Sequence, residues 1–309
     1  MPNTAPSSRS PLTGWISLSI IYVVWGSTYL GIRITMAEGS GFTPFALGAS
    51  RCAVSGTVLL AIVLFKNRKS PIRFPSRRDL LTVFISALTM WIGGNALVMI
   101  AERHVDSGTA ALLVGTIPLW MTVIDAIWDR HRPGLLLIVS MLLGFSGLTV
   151  LTLPLLRHGT HADIVSAALL LIAPLSWAFG SVIQARRPMS LSPTGSAAAL
   201  QWAAAVLFFL LALIARDPFP SPTPKALAAA AYLAIMGGVV AFTAYLVALK
   251  LLPTATVSTY AYANPVIAVF LGFLILDETI TIYTVTGSAL ILLGIFGVFQ
   301  SKKTDRKRV

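Results

Sequence analysis

Uninterrupted apolar stretches of about 20 residues recur along the whole of this 309-residue chain. Each has the length a helix needs to cross a hydrocarbon layer roughly 30 Å thick. With 56% hydrophobic and only 11% charged residues, and a mean hydropathy of +0.82, the chain carries more apolar surface than one water-soluble core can hide. Its solvent must be lipid, where every backbone polar group has to be paired within its own segment, so the stretches are expected to be helices.

Punctuation by charge, proline and glycine divides the sequence into ten spans, at approximately residues 14–34, 45–65, 80–101, 107–127, 134–153, 164–184, 195–215, 226–249, 255–276 and 281–299. Short connections at 102–106 and 250–254 make the third and fourth, and the eighth and ninth, antiparallel hairpins. The expected fold class is an all-α integral membrane protein.

An even number of spans puts both termini on one side, and the basic residues select that side. With termini inside, the cytoplasmic segments hold 17 Lys and Arg, whereas the opposite loops hold four, Arg103, Arg157, Arg216 and Lys225. Both termini are therefore expected in the cytoplasm. The net charge of +12 and the basic end KKTDRKRV read as topological anchoring, with no nucleic-acid partner expected. The single cysteine, Cys52, excludes an intramolecular disulfide.

The two halves repeat one another. At an offset of 147, Pro118 falls on Pro265, Arg103 on Lys250 and Ser107 on Thr254. Nearby offsets bring Thr43-Pro44 onto Ser192-Pro193, Gly144 and Gly147 onto Gly294 and Gly297, and Gly26-Ser27 onto Gly180-Ser181. Each repeat holds five helices, an odd number, so the second must enter the membrane from the opposite side. The expected organisation is a tail at 1–13, a first repeat at 14–153, a linker at 154–163, an inverted second repeat at 164–300 and a basic tail at 301–309. Inverted repeats around a central site are a device for alternating access.

No catalytic or metal constellation is expected. The four histidines lie in short connections, and His158 and His161 have only Asp163 beside them. No phosphate-binding glycine loop is present, and no cofactor is implied. An intramembrane enzyme would need a nucleophile, His-rich or paired-acid set at membrane depth, and a receptor would need longer loops or tails. Arg51 stands out, about two turns inside the second span, where an unpaired guanidinium is costly. Glu102 is the expected partner, in a gating or structural pair, and a substrate carboxylate is the alternative. Asp125, a turn from the end of the fourth span, is read as facing a wet vestibule near Arg130 or Arg132. Trp25, Thr28, Asn95, Trp120, Trp177, Tyr260 and Asn264 outline a candidate site for amphipathic ligands. Trp15, Trp91 and Trp128 read as interfacial belt or packing. Pro118 and Pro265, mid-span in both repeats, are candidate paired hinges or fixed bends.

These motifs resemble the EamA-type members of the drug/metabolite transporter superfamily, most closely the YedA-like exporters. The resemblance runs nearly end to end. It is carried by YVVWGSTYLGIRI at Tyr22 to Ile34, Arg51 in ASRCAVSG, Gly94-Asn95, AERHVDSG at Ala101 to Gly108, VGTIPLW at Val114 to Trp120, SWAFGS at Ser176 to Ser181 and STYAYANPVIAVFLG at Ser258 to Gly272. WGSTY and YAYANPV are the specific ones. The family often has Gly-Glu after the ninth helix, where this chain has Leu276-Asp277-Glu278-Thr279. The resemblance implies a ten-helix basket in the bacterial inner membrane, with a central cavity lined mainly by the first, third, fourth, sixth, eighth and ninth helices. It further implies export of small metabolites, amino-acid-like compounds or amphipathic drugs. An uptake permease of the same fold, and proton or substrate counter-transport, stay open at this point.

Overall fold

A computed structural model describes residues 11–68, 75–101, 113–130, 133–158, 164–187, 189–276 and 280–305. Numbered in chain order, its helices are α1 (Pro11–Met36), α2 (Pro44–Lys66), α3 (Arg77–Ala101), α4 (Ile117–Asp129), α5 (Leu135–His158), α6 (Ile164–Arg186), α7 (Pro193–Ile214), α8 (Pro224–Leu251), α9 (Tyr260–Leu276) and α10 (Ile282–Asp305). A single helical turn, Thr254–Val257, precedes α9. No strand occurs among the described residues. Six helices (α1, α2, α3, α7, α8 and most of α6) are long and apolar enough to cross a membrane, and α5 and α10 carry shorter apolar stretches at Leu135–Val150 and Ile282–Val298.

Many large apolar side chains face outward, among them Val54, Phe65, Phe84, Leu142, Phe209, Leu213 and Phe296. Lipid is the environment that makes such a surface stable. The interior is narrow and filled by small residues and rings, as expected where helix association rests on close packing. The most extensive helix contacts join α2 to α7 and α5 to α10. Both are pairs whose members correspond across the proposed repeat.

Glycine sets how close these pairs approach. A Cβ on Gly147 would stand 2.7 Å from the Gly287 carbonyl oxygen and the Ile291 nitrogen of α10, and one on Gly294 would stand 2.7 Å from the Gly144 nitrogen. Gly144 and Gly294, which match between the two halves of the sequence, thus meet one another in space. On the other pair, Gly48 and Gly56 of α2 leave room for Phe208 and Trp202 of α7.

The middle of α3 and of α8 is π-helical, at Ala87–Ala96 and Leu233–Ala241. A π-helical stretch widens the turn and disturbs the usual ladder, so its carbonyls become open to other donors. Neighbouring side chains take them. Ser176 Oγ donates to the Thr89 carbonyl at 2.8 Å, Ser55 Oγ to that of Ala234 at 2.8 Å and Gln201 Nε2 to that of Gly238 at 3.1 Å. Ser55, Ser176 and Gln201 thereby clamp α2, α6 and α7 onto the two π-helical segments.

Helix starts follow local chemistry. Thr43, Ser192 and Thr223 each cap the helix that follows, with a proline in its first turn. Ser76 and Asp79 form a capping box at the start of α3, and Asp79 also accepts from the backbone nitrogen of Ser190 at 3.2 Å and its hydroxyl at 2.6 Å. At the opposite end of the molecule, two connections pair through Ser221 N to Gly41 O at 3.1 Å and Thr223 N to Ser40 O at 3.0 Å. Gly41 is required there, with a φ of +87° and the Ser221 carbonyl 2.0 Å from where a Cβ would be.

The prolines differ from expectation in where they sit. Pro118 occupies the first turn of α4, directly after a break at Gly115–Thr116, so it costs no helical hydrogen bond there. Pro265 does lie inside α9, six residues after a comparable break at Ser258–Thr259. Pro174, inside α6, is a further interior proline.

Candidate functional site

A partly open cavity lies where α1, α2, α3, α4, α6 and α9 converge. Its wall takes Trp25, Thr28, Tyr29 and Ile32 from α1, Arg51 from α2, Trp91, Gly94, Asn95 and Val98 from α3, and Val114 and Ile117 at the head of α4. The second half of the chain supplies Ala173, Pro174 and Trp177 from α6 and Tyr260 and Asn264 from α9.

Six of the seven residues expected to contact substrate are therefore neighbours, although they come from four helices spread over the sequence. The seventh is not among them. Trp120, nearly one turn beyond Ile117, packs against the main hydrophobic core instead. Trp91, expected to be packing or interfacial belt, is 2% exposed and forms part of the wall, whereas Trp15 and Trp128 are 40% and 44% exposed. Tyr29 and Pro174 are further wall residues that hydropathy alone did not single out. Tyr29 stands in the WGSTY motif, which is the signal that could have found it.

An aromatic cluster fills the space beside the cavity. Trp25 is its hub, with ring centroids 5.6 Å from Trp177, 5.0 Å from Tyr245 and 5.0 Å from Tyr260, mostly edge to face. Trp91 and Phe242 extend the cluster, at 5.3 Å from one another. The Trp25 indole N–H also reaches the Gly237 carbonyl of the π-helical segment, at 3.4 Å. Toward the start of α1 the molecule is closed. Tyr22 and Thr259 share a hydrogen bond of 2.5 Å, and Leu252 packs against Gly14.

Beyond them lies an ionic cluster. Arg186 of α6 donates through Nε and Nη2 to Asp125 Oδ1 of α4, at 3.1 and 2.8 Å, and is bonded to Asp129 as well. Thr254, in the turn before α9, donates to the other oxygen of Asp125. Asp125 thus pairs with Arg186 on another helix, and Arg132 lies outside the described residues.

Arg51 is 6% exposed and stacks its guanidinium over the Trp91 ring, 5.2 Å from the centroid. Its Nη1 makes no hydrogen bond. Glu102, the expected partner, lies outside the described residues. Asn264 is better satisfied: in the amide orientation that suits its surroundings, its nitrogen donates to the carbonyls of Tyr22 at 3.2 Å and Tyr260 at 3.0 Å. It therefore ties α9 to α1 at the level where Pro265 interrupts the helix. Among the described residues no three His, Cys, Asp or Glu side chains converge on a metal-sized site.

Two segments, residues 12–153 and 165–300, each match the EamA-like transporter family. The chain belongs to that family. It is 32% identical, over 88% of its length and 85% of the relative's, to the inner membrane transporter YedA of Escherichia coli strain K12. It is 25% identical, over 94% and 95% of the two chains, to a probable terminal-alkyne amino-acid exporter of Streptantibioticus cattleyicolor. A solved structure superposes with a TM-score of 0.77 at 19% identity, covering 96% of this chain and 99% of the other, so the fold is shared. The protein is a multi-pass membrane protein of a transporter family, and its family and relatives point away from an enzyme.

Proposed function

We propose that this protein is a secondary transporter of the bacterial inner membrane that exports small metabolites, amino-acid-like compounds or amphipathic drugs by alternating access. The observation that carries the reading is the cavity itself. Trp25, Thr28 and Asn95 come from the first half of the chain and Trp177, Tyr260 and Asn264 from the second, so relative movement of the halves would open and close one shared site.

The chain is read as ten spans in two inverted five-helix repeats, 14–153 and 164–300, with both termini cytoplasmic. Symmetric contacts support this: α3 packs on α6 as α8 packs on α1, and α4 packs on α6 as α9 packs on α1. The paired π-helical segments and the two family matches point the same way. On this orientation the aromatic cluster and the Arg186–Asp125–Thr254 network form the cytoplasmic barrier, and the cavity belongs to an outward-facing state. Arg51 and Glu102 are the proposed outer gate, with the breaks before Pro118 and Pro265 as hinges in the two repeats.

Export is tested by comparing extracellular metabolites of cells with and without the protein. A compound enriched outside expressing cells, and moved by purified protein in proteoliposomes, supports the reading. Greater intracellular accumulation of that compound would instead establish an uptake permease. Flux that ignores an imposed pH gradient would assign facilitated diffusion or substrate exchange rather than proton coupling.

A further inference from the structure

Five of the residues that line the cavity each carry a buried side-chain atom that makes no hydrogen bond among the described residues: Arg51 Nη1, Trp91 Nε1, Asn95 Oδ1, Trp177 Nε1 and Tyr260 Oη. Trp177 and Tyr260 are near neighbours, although not in hydrogen-bonding geometry. The other three have less to meet. A buried donor or acceptor left unpaired costs free energy, and a buried charge costs more. Polar atoms in that condition at a cavity wall are waiting for a ligand or for water to complete them.

The composition of the wall selects the ligand. It holds one cation, Arg51, and among the described lining residues no Asp or Glu. The Trp91 ring lies 5.2 Å from the guanidinium carbon, and Nη1 is left without a hydrogen bond. An unpaired guanidinium N–H in such a site matches a carboxylate oxygen. The rest of the surface is Trp25, Trp177, Tyr260, Ile32, Val98 and Ile117, an apolar and largely aromatic chamber.

We propose that Arg51 forms a carboxylate subsite and that the substrates are amphipathic monocarboxylates, an acid group on an aromatic or branched apolar body without a free amine. A carboxylate seated on Arg51 replaces the hydration it lost on burial. An ammonium group would meet no carboxylate on the described wall, which disfavours cationic amines outright and zwitterions in part. The proposal rests on the transporter reading above for its biological meaning, but the binding site is testable by itself. Because burial of the guanidinium is costly and the Trp91 ring offsets only part of that cost, Arg51→Gln is expected to leave thermal stability unchanged or raised.

Three probes of one shape separate the charges: 3-phenylpropionate, phenethylamine and phenylalanine. Binding to the purified full-length protein is followed by quenching of tryptophan fluorescence and by thermal shift. The acid is expected to bind at least about tenfold more tightly than the amine, the order of a charge-assisted hydrogen bond, with phenylalanine between them. This wild-type comparison needs no variant to fold. Arg51→Gln is expected to bring acid and amine to within about twofold of each other, while Glu102→Gln preserves the preference. Equal binding of acid and amine, preference for the amine, binding of none of the three, or an unchanged preference in Arg51→Gln would each overturn the subsite. An equal loss of preference in Glu102→Gln would overturn it, because the preference would then not depend on Arg51 in particular. Proteoliposome uptake of labelled 3-phenylpropionate separates the two readings. Selective binding without flux would sink the transporter and keep the site, and flux of the amine as fast as the acid would do the reverse.

Discussion

Asn95 and Asn264 are alike in the sequence, each a mid-span amide, yet they differ in what their side chains meet. Asn264 spends its nitrogen on the carbonyls of Tyr22 and Tyr260, whereas Asn95 Oδ1 is buried, unpaired and on the cavity wall. Asn95→Ala is expected to impair transport with the melting temperature and membrane expression unchanged. Asn264→Ala is expected to impair transport and also to lose about 1 kcal/mol of stability, the net worth of a buried hydrogen bond. Flux assays beside thermal denaturation of both variants check this, and full flux in both would remove the amides from the site. That Arg51 is exceptional was legible in the sequence, because a guanidinium two turns inside an apolar span is costly wherever it points. That it faces Trp91 was not, since the two are 40 positions apart on different helices. That Trp91, expected as packing or interfacial belt and buried in the core, also lines the cavity was not legible for the same reason: a tryptophan's place along a span does not say which way its ring is turned.

At the scale of elements, the closest approaches are governed by glycine and the widest turns by the π-helical segments. Gly147→Val would drive a branched side chain into the backbone of α10, where the nearest atoms are a carbonyl oxygen and an amide nitrogen. A destabilisation of about 1–3 kcal/mol is expected, as for an overpacked core, and a detergent melting curve measures it. Ser55→Ala leaves the buried carbonyl of Ala234 without its side-chain donor. It is expected to cost about 1–3 kcal/mol and to loosen α2 from α8, read as faster amide exchange across Leu233–Ala241. The matching glycines of α5 and α10 could be found by laying one half of the sequence on the other. The π-helical segments could not, although Gly93-Gly94 and Gly237-Gly238 mark both, because a glycine pair is equally compatible with an ordinary packed helix.

For the whole molecule, the proposed orientation and the proposed barrier make separate predictions. On a Cys52→Ser background, single cysteines at Ser8 and Thr304 are expected to resist an impermeant maleimide added to intact cells, and one at Ser221 to react. Labelling of either tail would reverse the topology. Arg186→Ala removes the cation that joins α4 to α6 and indirectly to the turn before α9. A partly exposed network of this kind contributes on the order of 1 kcal/mol, enough to move a two-state ratio about fivefold. The rate at which the outside reagent modifies a cysteine at Asn95 is expected to fall accordingly. An unchanged rate would show that the ring cluster alone closes the cytoplasmic side.

Membrane residence, helix spacing and the proposed internal repeat were legible in the sequence alone. Each is written in local pattern: length against bilayer thickness, polar punctuation and a near-constant offset. The cavity was decided by tertiary structure. Its wall gathers residues from Trp25 to Asn264, and only the packing of six helices determines which polar atoms find partners and which, like Arg51 Nη1, are left without one. Desolvation acts on atoms through their neighbours in space, and the neighbours of Arg51 lie on other helices.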